Sequence, residues 1–533
     1  MALLVSNVAW QGEGSDPMPL LAQRLQVPLE RLVDARLVKR SLDARHKKQT
    51  WRAVFKVEVM GEPEVLSRAL ASVRQWTERD DARYGLVDLT PPRRVWGDGD
   101  RPIVIGAGPA GLFAALYLAE TGARVLLLER GDPMEARVRA VNALWRGRAP
   151  LDPESNLVFG EGGAGTFSDG KIYTRRRDGD LGYIFRRLVD FGADPGVLEE
   201  AWAHLGTDRV RAILPVLRAR LLDLGTEVRF RSQVVDLVVE DGACRGVVIA
   251  GGTVERGAPV IIGAGHSARD TAEMLVRAGV EAVARPIGVG ARIEHPQKLI
   301  DRAQYGRERR ELPPATYRLA FNPPTGRRAH TFCMCPGGMV VPATNHPGRV
   351  VVNGMSFSAR RASWANAAII VEVTPDDYGS DDPLAGYDFQ DRIERACFQV
   401  AGGDGRAPAQ RVVDLLAGRP SEDLPRVSYP LGVTPSDLAE VFPTFVVAGL
   451  IAAIKEFDRE MPGFAGPEAV VIAPETRTTS PVRFLRDKRG CATTVADLYP
   501  VGEGAGYGGG IISCALDGYR VAQGIAAARP LPP

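Results

Sequence analysis

The chain has 533 residues, of which 45% are hydrophobic and 25% charged, and its formal net charge is +2. That length exceeds one simple core and points to two or three domains, while the near-neutral balance excludes a global pull toward nucleic acid or anionic membrane, though not a local patch. Six scattered cysteines, an N-terminus without leader character and no apolar run of membrane-spanning length point to the reducing cytoplasm.

Residues 1–98 read as a small α+β module, with strands at 3–8 and 51–59 and helices at 19–25 and 64–76. Between them lie Arg36, Lys39, Arg40, Arg45, Lys47, Lys48 and Arg52, against Asp34 and Asp43. This run fits an RNA-binding surface or a solvated, docking face. Without aromatics spread among the basic residues, the second is favoured. Residues 90–101, rich in Pro, Gly and Asp, form a linker.

Residues 102–131 then read PIVIGAGPAGLFAALYLAETGARVLLLERG, the pattern of a dinucleotide-binding βαβ unit. Gly106 makes the tight turn, Gly108 admits a pyrophosphate, and Gly111 allows close helix–strand packing. Pro109 and Ala110 open a helix whose N-terminus faces the phosphates. Glu129, followed by Arg130, ends the second strand, where a carboxylate can accept from an adenosine ribose. A helix is expected at 135–145, and then a second glycine-rich loop at 156–174, carrying Gly160, Gly162, Gly163, Gly165, Gly170 and Lys171. Arg175, Arg176 and Arg177 read as a solvated turn.

An amphipathic helix at 207–224 leads into strands at 227–230, 234–239 (opening on Val234), 246–250 and 258–263. The last ends in GAGHSARD, with Gly265. This could be a second fingerprint for NADPH. It follows a strand meander, and no acid or Arg cluster ends the next apolar segment, so it reads better as the return strand of the first nucleotide fold. Residues 286–463 lack a parallel rhythm and read as an antiparallel sheet with helices at 388–400, 409–416 and 446–457. The end of the chain, LYPVGEGAGYGGGIIS, brings Gly502, Glu503 and Gly510 to a strand-to-helix junction at Ile511.

The boundaries expected are therefore 1–98 for the module, 99–285 and 466–533 for the split nucleotide fold, and 286–465 for an inserted substrate domain. Candidates for chemistry are few, and no metal-ligand spacing occurs. Cys333 and Cys335, two apart on a strand, would face one side as a redox or metal pair or, more simply, as small buried side chains. Arg477 and Arg483 flank three hydroxyls and could hold a carboxylate, or Arg477 could pair with Glu475 or another acid. Glu294 and His295 offer a proton-transfer group, and Lys171 could reach a substrate anion or the reacting edge of a cofactor.

The four glycine-rich elements occur in the order of flavoproteins whose FAD domain is split by a substrate domain. Together with KRSLDARHK, HLGTD, GARIEHPQ, TFCMCPGG, NGMSFSAR, ETRTTSPVR and GEGAGYGGG, the chain resembles, over nearly its whole length, the family of FAD-dependent or NAD(FAD)-utilising dehydrogenases. The resemblance implies an α/β, Rossmann-like fold with FAD as cofactor. Gly106, Gly108, Gly111 and Glu129 would hold its ADP half, and Pro109, Ala110, Arg130 and Val234 would also bind the cofactor. Gly162, Gly163, Lys171, Gly265, Gly502, Glu503, Gly510 and Ile511 would line the pyrophosphate and flavin. Family members commonly carry Ala where this chain has Gly508, a matter of local packing. The expected activity is an FAD-dependent oxidoreductase passing hydride to or from a small or medium organic substrate, with NADH or NADPH as a transient reductant. The alternative is an RNA-modifying or RNA-binding flavoprotein using the basic module, and the Arg477, His295, Lys171 and Cys335 side chains are the candidates for catalysis.

Overall fold

A computed structural model describes the chain except for residues 1, 11, 13–14, 44–49, 87–88, 98, 100, 175–178, 307–311 and 533. Arg45, Lys47, Lys48 and Arg175 to Arg177 lie outside the described residues. Two compact units emerge. One comprises residues 1–90 and 171–204, the other residues 91–170 and 205–533.

In the first unit, Leu32–Asp43, Thr50–Val59, Ala2–Ala9 and Val73–Gln75 lie side by side as a four-stranded sheet. Alternation along Ala2–Ala9 and Thr50–Val59 puts Leu3, Val5, Phe55 and Val57 on one face, packed with Leu21 and Leu25 of helix Met18–Leu25. The basic run, expected to join elements, begins inside strand Leu32–Asp43. The helix expected at 64–76 is shorter, Glu62–Ser67, and gives way to strand Val73–Gln75. Residues 171–204, expected within the nucleotide fold, belong to this first unit and include helix Leu181–Asp190.

The second unit holds a five-stranded parallel sheet in the order Leu498–Pro500, Val260–Ile262, Ile103–Ile105, Leu126–Leu128, Glu227–Arg229. The three central strands are buried throughout, as near-continuous apolar runs in a parallel sheet should be. Helix Pro109–Glu120 is buried along its whole length from Ala110 to Glu120, so its sequence carries no amphipathic signal. Strand Val260–Ile262 sits between the first and last strands and is the return strand of the same sheet.

The remainder of this unit is built on a sheet running Ala320–Phe321, Ala329–Pro342, Trp364–Val373, Ile287–Pro296, Val470–Glu475, Ala407–Arg411 and Val433–Pro435, with Val352–Met355 paired to Ala329–Pro342. All of these pairings are antiparallel except the last in the path. Helices Ala385–Val400 and Thr444–Glu460 supply its core through residues such as Phe389, Ile393, Leu450, Ile454 and Phe457. The helix expected at 409–416 is instead strand Ala407–Arg411 followed by helix Val412–Ala417. Among the described residues no helix is long and apolar enough to cross a membrane.

Candidate functional site

The carboxyl ends of the parallel strands gather the glycine loops. Gly106 turns with φ +94°, and its N–H donates to Leu128 O at 2.7 Å. A Cβ on Gly111 would run into the Gly106 carbonyl, so the helix can approach the strand only as glycine. The second loop reaches the first through the Gly162 N–H, which donates to Ala107 O at 2.7 Å, and Gly163 stands against Gly108. Gly502 packs on the Ala110 side chain, Gly504 on the Gly265 backbone, and Gly165 on the Ile511 side chain. Gly106, Gly108, Ala110, Gly111, Gly162, Gly163, Gly265, Gly502 and Ile511 are thereby brought to one place.

Two helices begin there. Pro109–Glu120 starts at Gly108 and Ile511–Ala527 at Gly510, and neither is capped by a side chain. Their first N–H groups and positive dipole ends are left for an external acceptor. The helices also cross closely, because Gly518 admits the Ala110 carbonyl where a Cβ could not stand. Asp517 ties the junction down. It accepts from Gly502 N at 2.8 Å and from Arg486 Nη1 at 3.0 Å.

Glu129 is 4% exposed, and its carboxylate accepts from Ala107 N at 2.7 Å, Gly131 N at 2.9 Å and Gly160 N at 3.0 Å. One carboxylate therefore fixes both glycine loops and retains acceptor capacity on Oε2 for a ribose hydroxyl. Arg130 beside it is committed to Glu154, at 2.7 and 3.0 Å, and to Asp270 at 3.0 Å, and it lies over the Phe159 ring. Val234 is buried at the start of its strand, close in sequence to Ser232, whose N–H donates to Glu129 O.

Two residues of this site escaped the sequence. Arg137 is fully buried and shapes the second loop by donating to the carbonyls of Asn156, Leu157, Glu161 and Gly163 at 2.6–2.9 Å. Nothing local distinguishes it from the solvated arginines around it. His266 follows Gly265 directly, which was its only signal. Its Nε2 lies 3.0 Å from Arg477 O and its Nδ1 3.6 Å from Glu503 Oε2. With acceptors at both nitrogens, the surroundings favour the protonated ring. Burial pulls its pKa down, but the Glu503 carboxylate outweighs that and the net shift is upward.

The other candidates are distributed differently. Arg477 pairs with Glu394, at 2.9 Å through Nε and 2.7 Å through Nη2, and also donates to Asn345 Oδ1. Glu475 is instead the partner of the fully buried Arg292, at 2.7 and 2.8 Å. His295 is not at a site. It shares a strand face with Ile287, Val289, Ala291 and Ile293, has 0% exposure, and packs on Tyr317 and Phe464, whose carbonyl lies 2.7 Å from Nε2.

Cys333 and Cys335 do not share a side. The strand register shifts between Phe332 and Cys335, Cys333 takes φ +44°, and it is exposed while Cys335 is buried against Cys333 O at 3.2 Å. Lys171 falls in the first unit, where its backbone pairs with His204.

Space remains where a cofactor would need it. A Cβ at Gly265, Gly509 or Gly510 would meet nothing within 4 Å. A concave, glycine-walled cradle with uncapped helix N-termini and a carboxylate at the second strand end fits a dinucleotide whose pyrophosphate lies between the helices. Comparison with known proteins then gives the class. Residues 102–158 match the family described as FAD dependent oxidoreductase, so the cofactor that this cradle fits is FAD and the protein an FAD-dependent oxidoreductase. Residues 286–478 match FAD-dependent protein, C-terminal domain-like, and a Clostridium beijerinckii protein bearing only the name "Uncharacterized protein" is 39% identical over 516 residues, 95% of this chain and 94% of its own. The chain belongs to that family of FAD-dependent proteins.

A thiamine thiazole synthase from Aeropyrum pernix is 28% identical over 198 residues, covering 34% of this chain and 60% of its own. Among solved structures, a triple mutant of the flavin-dependent brominase Bmp2 spans 81% of each chain at 13% identity with a TM-score of 0.38.

Proposed function

We propose that the protein moves hydride between a small or medium organic substrate and FAD, with a nicotinamide dinucleotide as transient reductant. The observation that carries this reading is the convergence of four glycine-rich elements on two uncapped helix N-termini. FAD supplies the redox chemistry when bound, and the chain supplies position, charge and exclusion of water. Gly106, Gly108, Pro109, Ala110, Gly111 and Glu129 hold the ADP half, with Arg130 and Val234 at the adenine edge. Gly162, Gly163, Gly265, Gly502, Glu503, Gly510 and Ile511 line the pyrophosphate and ring.

His266 stands beside Glu503, whose carboxylate favours the protonated imidazole, and the two face the ribityl region together. Arg477 is a positioning residue in this reading: its carbonyl orients His266 while its guanidinium is committed to Glu394. Burial argues against His295 or Cys335 exchanging protons or electrons with a substrate.

Anaerobic mixing with NADH and with NADPH tests the proposal. Loss of the visible flavin absorbance, slowed by deuterium at the transferred position of the nicotinamide, is expected with one of them. A flavin that stays oxidised with both overturns the nicotinamide as donor.

A further inference from the structure

The first unit contains a pocket of ≈ 590 Å³, none of whose lining residues belongs to the glycine cradle. It opens on the sheet face opposite helix Met18–Leu25, where Leu4 and Val54 point, and is closed by Leu181, Phe185, Val197 and Leu198. Three cations line it: Lys39, Arg74 and Arg83. Arg74 is neutralised by Asp80, at 2.8 Å through Nη1 and 2.6 Å through Nη2. The one carboxylate among the lining residues, Glu200, is taken by Arg40 at 3.5 Å. Neither Lys39 nor Arg83 has an ion-pair partner among the described residues. Arg83 lies over the Tyr84 ring, 5.2 Å from its centroid.

Two cations held together without an anion are costly, and the cost shows in Lys39, whose pKa is pushed down by burial first and by Arg83 second. A half-buried ammonium without an ion-pair partner among the described residues, beside a guanidinium, is an arrangement that a bound anion would relieve. The volume lies within the ~300–1,000 Å³ range of small-molecule sites, far more than an inorganic ion needs. The apolar part of the lining comes from Leu4, Val54, Leu181 and Val197, with the rings of Phe185, Tyr84 and Tyr173 added. We propose that this pocket binds a small organic phosphate, its phosphoryl group between Lys39 and Arg83 and a flat apolar body against Leu4, Val54, Phe185 and the tyrosines.

Pyridoxal 5′-phosphate, which carries both a phosphoryl group and an aromatic aldehyde, tests this on the full-length holoprotein. The Lys39 amine attacks the aldehyde carbon, water leaves, and borohydride adds hydride to the imine, fixing a secondary amine that peptide mass mapping locates. Lys39 is expected to be trapped before the ion-paired Lys56. Adenosine monophosphate should protect it, and R83M should slow trapping by about tenfold, the factor that ~1.4 kcal/mol of lost binding gives. R83M and K39M should melt no lower than the parent, since each removes a like-charge repulsion, whereas a purely structural cation would lower the melting point. Trapping of Lys39 no faster than Lys56, or unchanged in R83M, overturns the proposal. Protection by a short RNA strand but not by adenosine monophosphate also overturns it, in favour of a nucleic-acid surface.

Discussion

Glu294 and His295 are neighbours on strand Ile287–Pro296, and burial displaces their protons in opposite senses. Glu294 points to the polar face, where Ser428 donates to it through N–H and Oγ, yet burial outweighs those bonds and raises its pKa from 4.5 to about 7. His295 points into the core, and burial lowers it from 6.5 to about 4. The raised carboxyl stabilises the fold fully below its unfolded value and loses that contribution as pH rises through about 7. The depressed imidazole contributes above 6.5 and loses its contribution as pH falls through about 4. Between 4.5 and 6.5 the two slopes oppose, each at most ~1.4 kcal/mol per pH unit. Single substitutions should unmask them. Glu294→Gln is expected to give a melting temperature that climbs with pH across this window, and His295→Phe one that falls. Thermal unfolding at stepped pH measures both, and two profiles as flat as the parent's would refute the opposition.

At the scale of elements, glycines separate into those that hold the fold and those that leave room. Gly111→Ala places a methyl in the Gly106 carbonyl and should yield no folded flavoprotein. Gly265→Ala meets nothing within 4 Å and strains only a φ of +78°, worth about 1 kcal/mol, so it should fold with near-parental circular dichroism while binding FAD more weakly. Flavin titration of both variants checks the contrast. These loops were legible in the sequence because the fingerprint is local, and elements Ile103–Ile105, Pro109–Glu120 and Leu126–Leu128 lie where spacing put them. What local spacing cannot show is partnership across the chain. Arg292 finds Glu475, and Arg477 finds Glu394, over separations that no periodicity encodes. A β-bulge defeated the two-residue rule at Cys333, and the short apolar run at 409–416 fits helix or strand equally until its neighbours decide.

For the whole molecule, the first unit is discontinuous. Residues 171–204 carry buried Leu181, Tyr183, Ile184 and Leu188, and Gly182 sits against the Ala82 backbone of the N-terminal segment. Deleting residues 1–90 would strip that helix of its partners. The truncated protein is expected to aggregate or to be cut within 171–204 under limited proteolysis; a monodisperse, protease-resistant product would refute the division. The role of the N-terminal segment is therefore better probed by charge substitutions than by removal.

The parallel sheet has its own order in time. Strand Leu498–Pro500 flanks Val260–Ile262, and helix Ile511–Ala527 seats Gly518 on Ala110 of the fingerprint helix. On a ribosome that releases the chain N-terminus first, the fingerprint emerges complete and waits through most of the remaining translation before its last walls arrive. A nascent chain stopped before residue 498 carries every residue of the βαβ unit and is nevertheless expected to be colourless. Arrested ribosome complexes supplied with FAD should acquire flavin only after the C-terminal helix has cleared the exit tunnel.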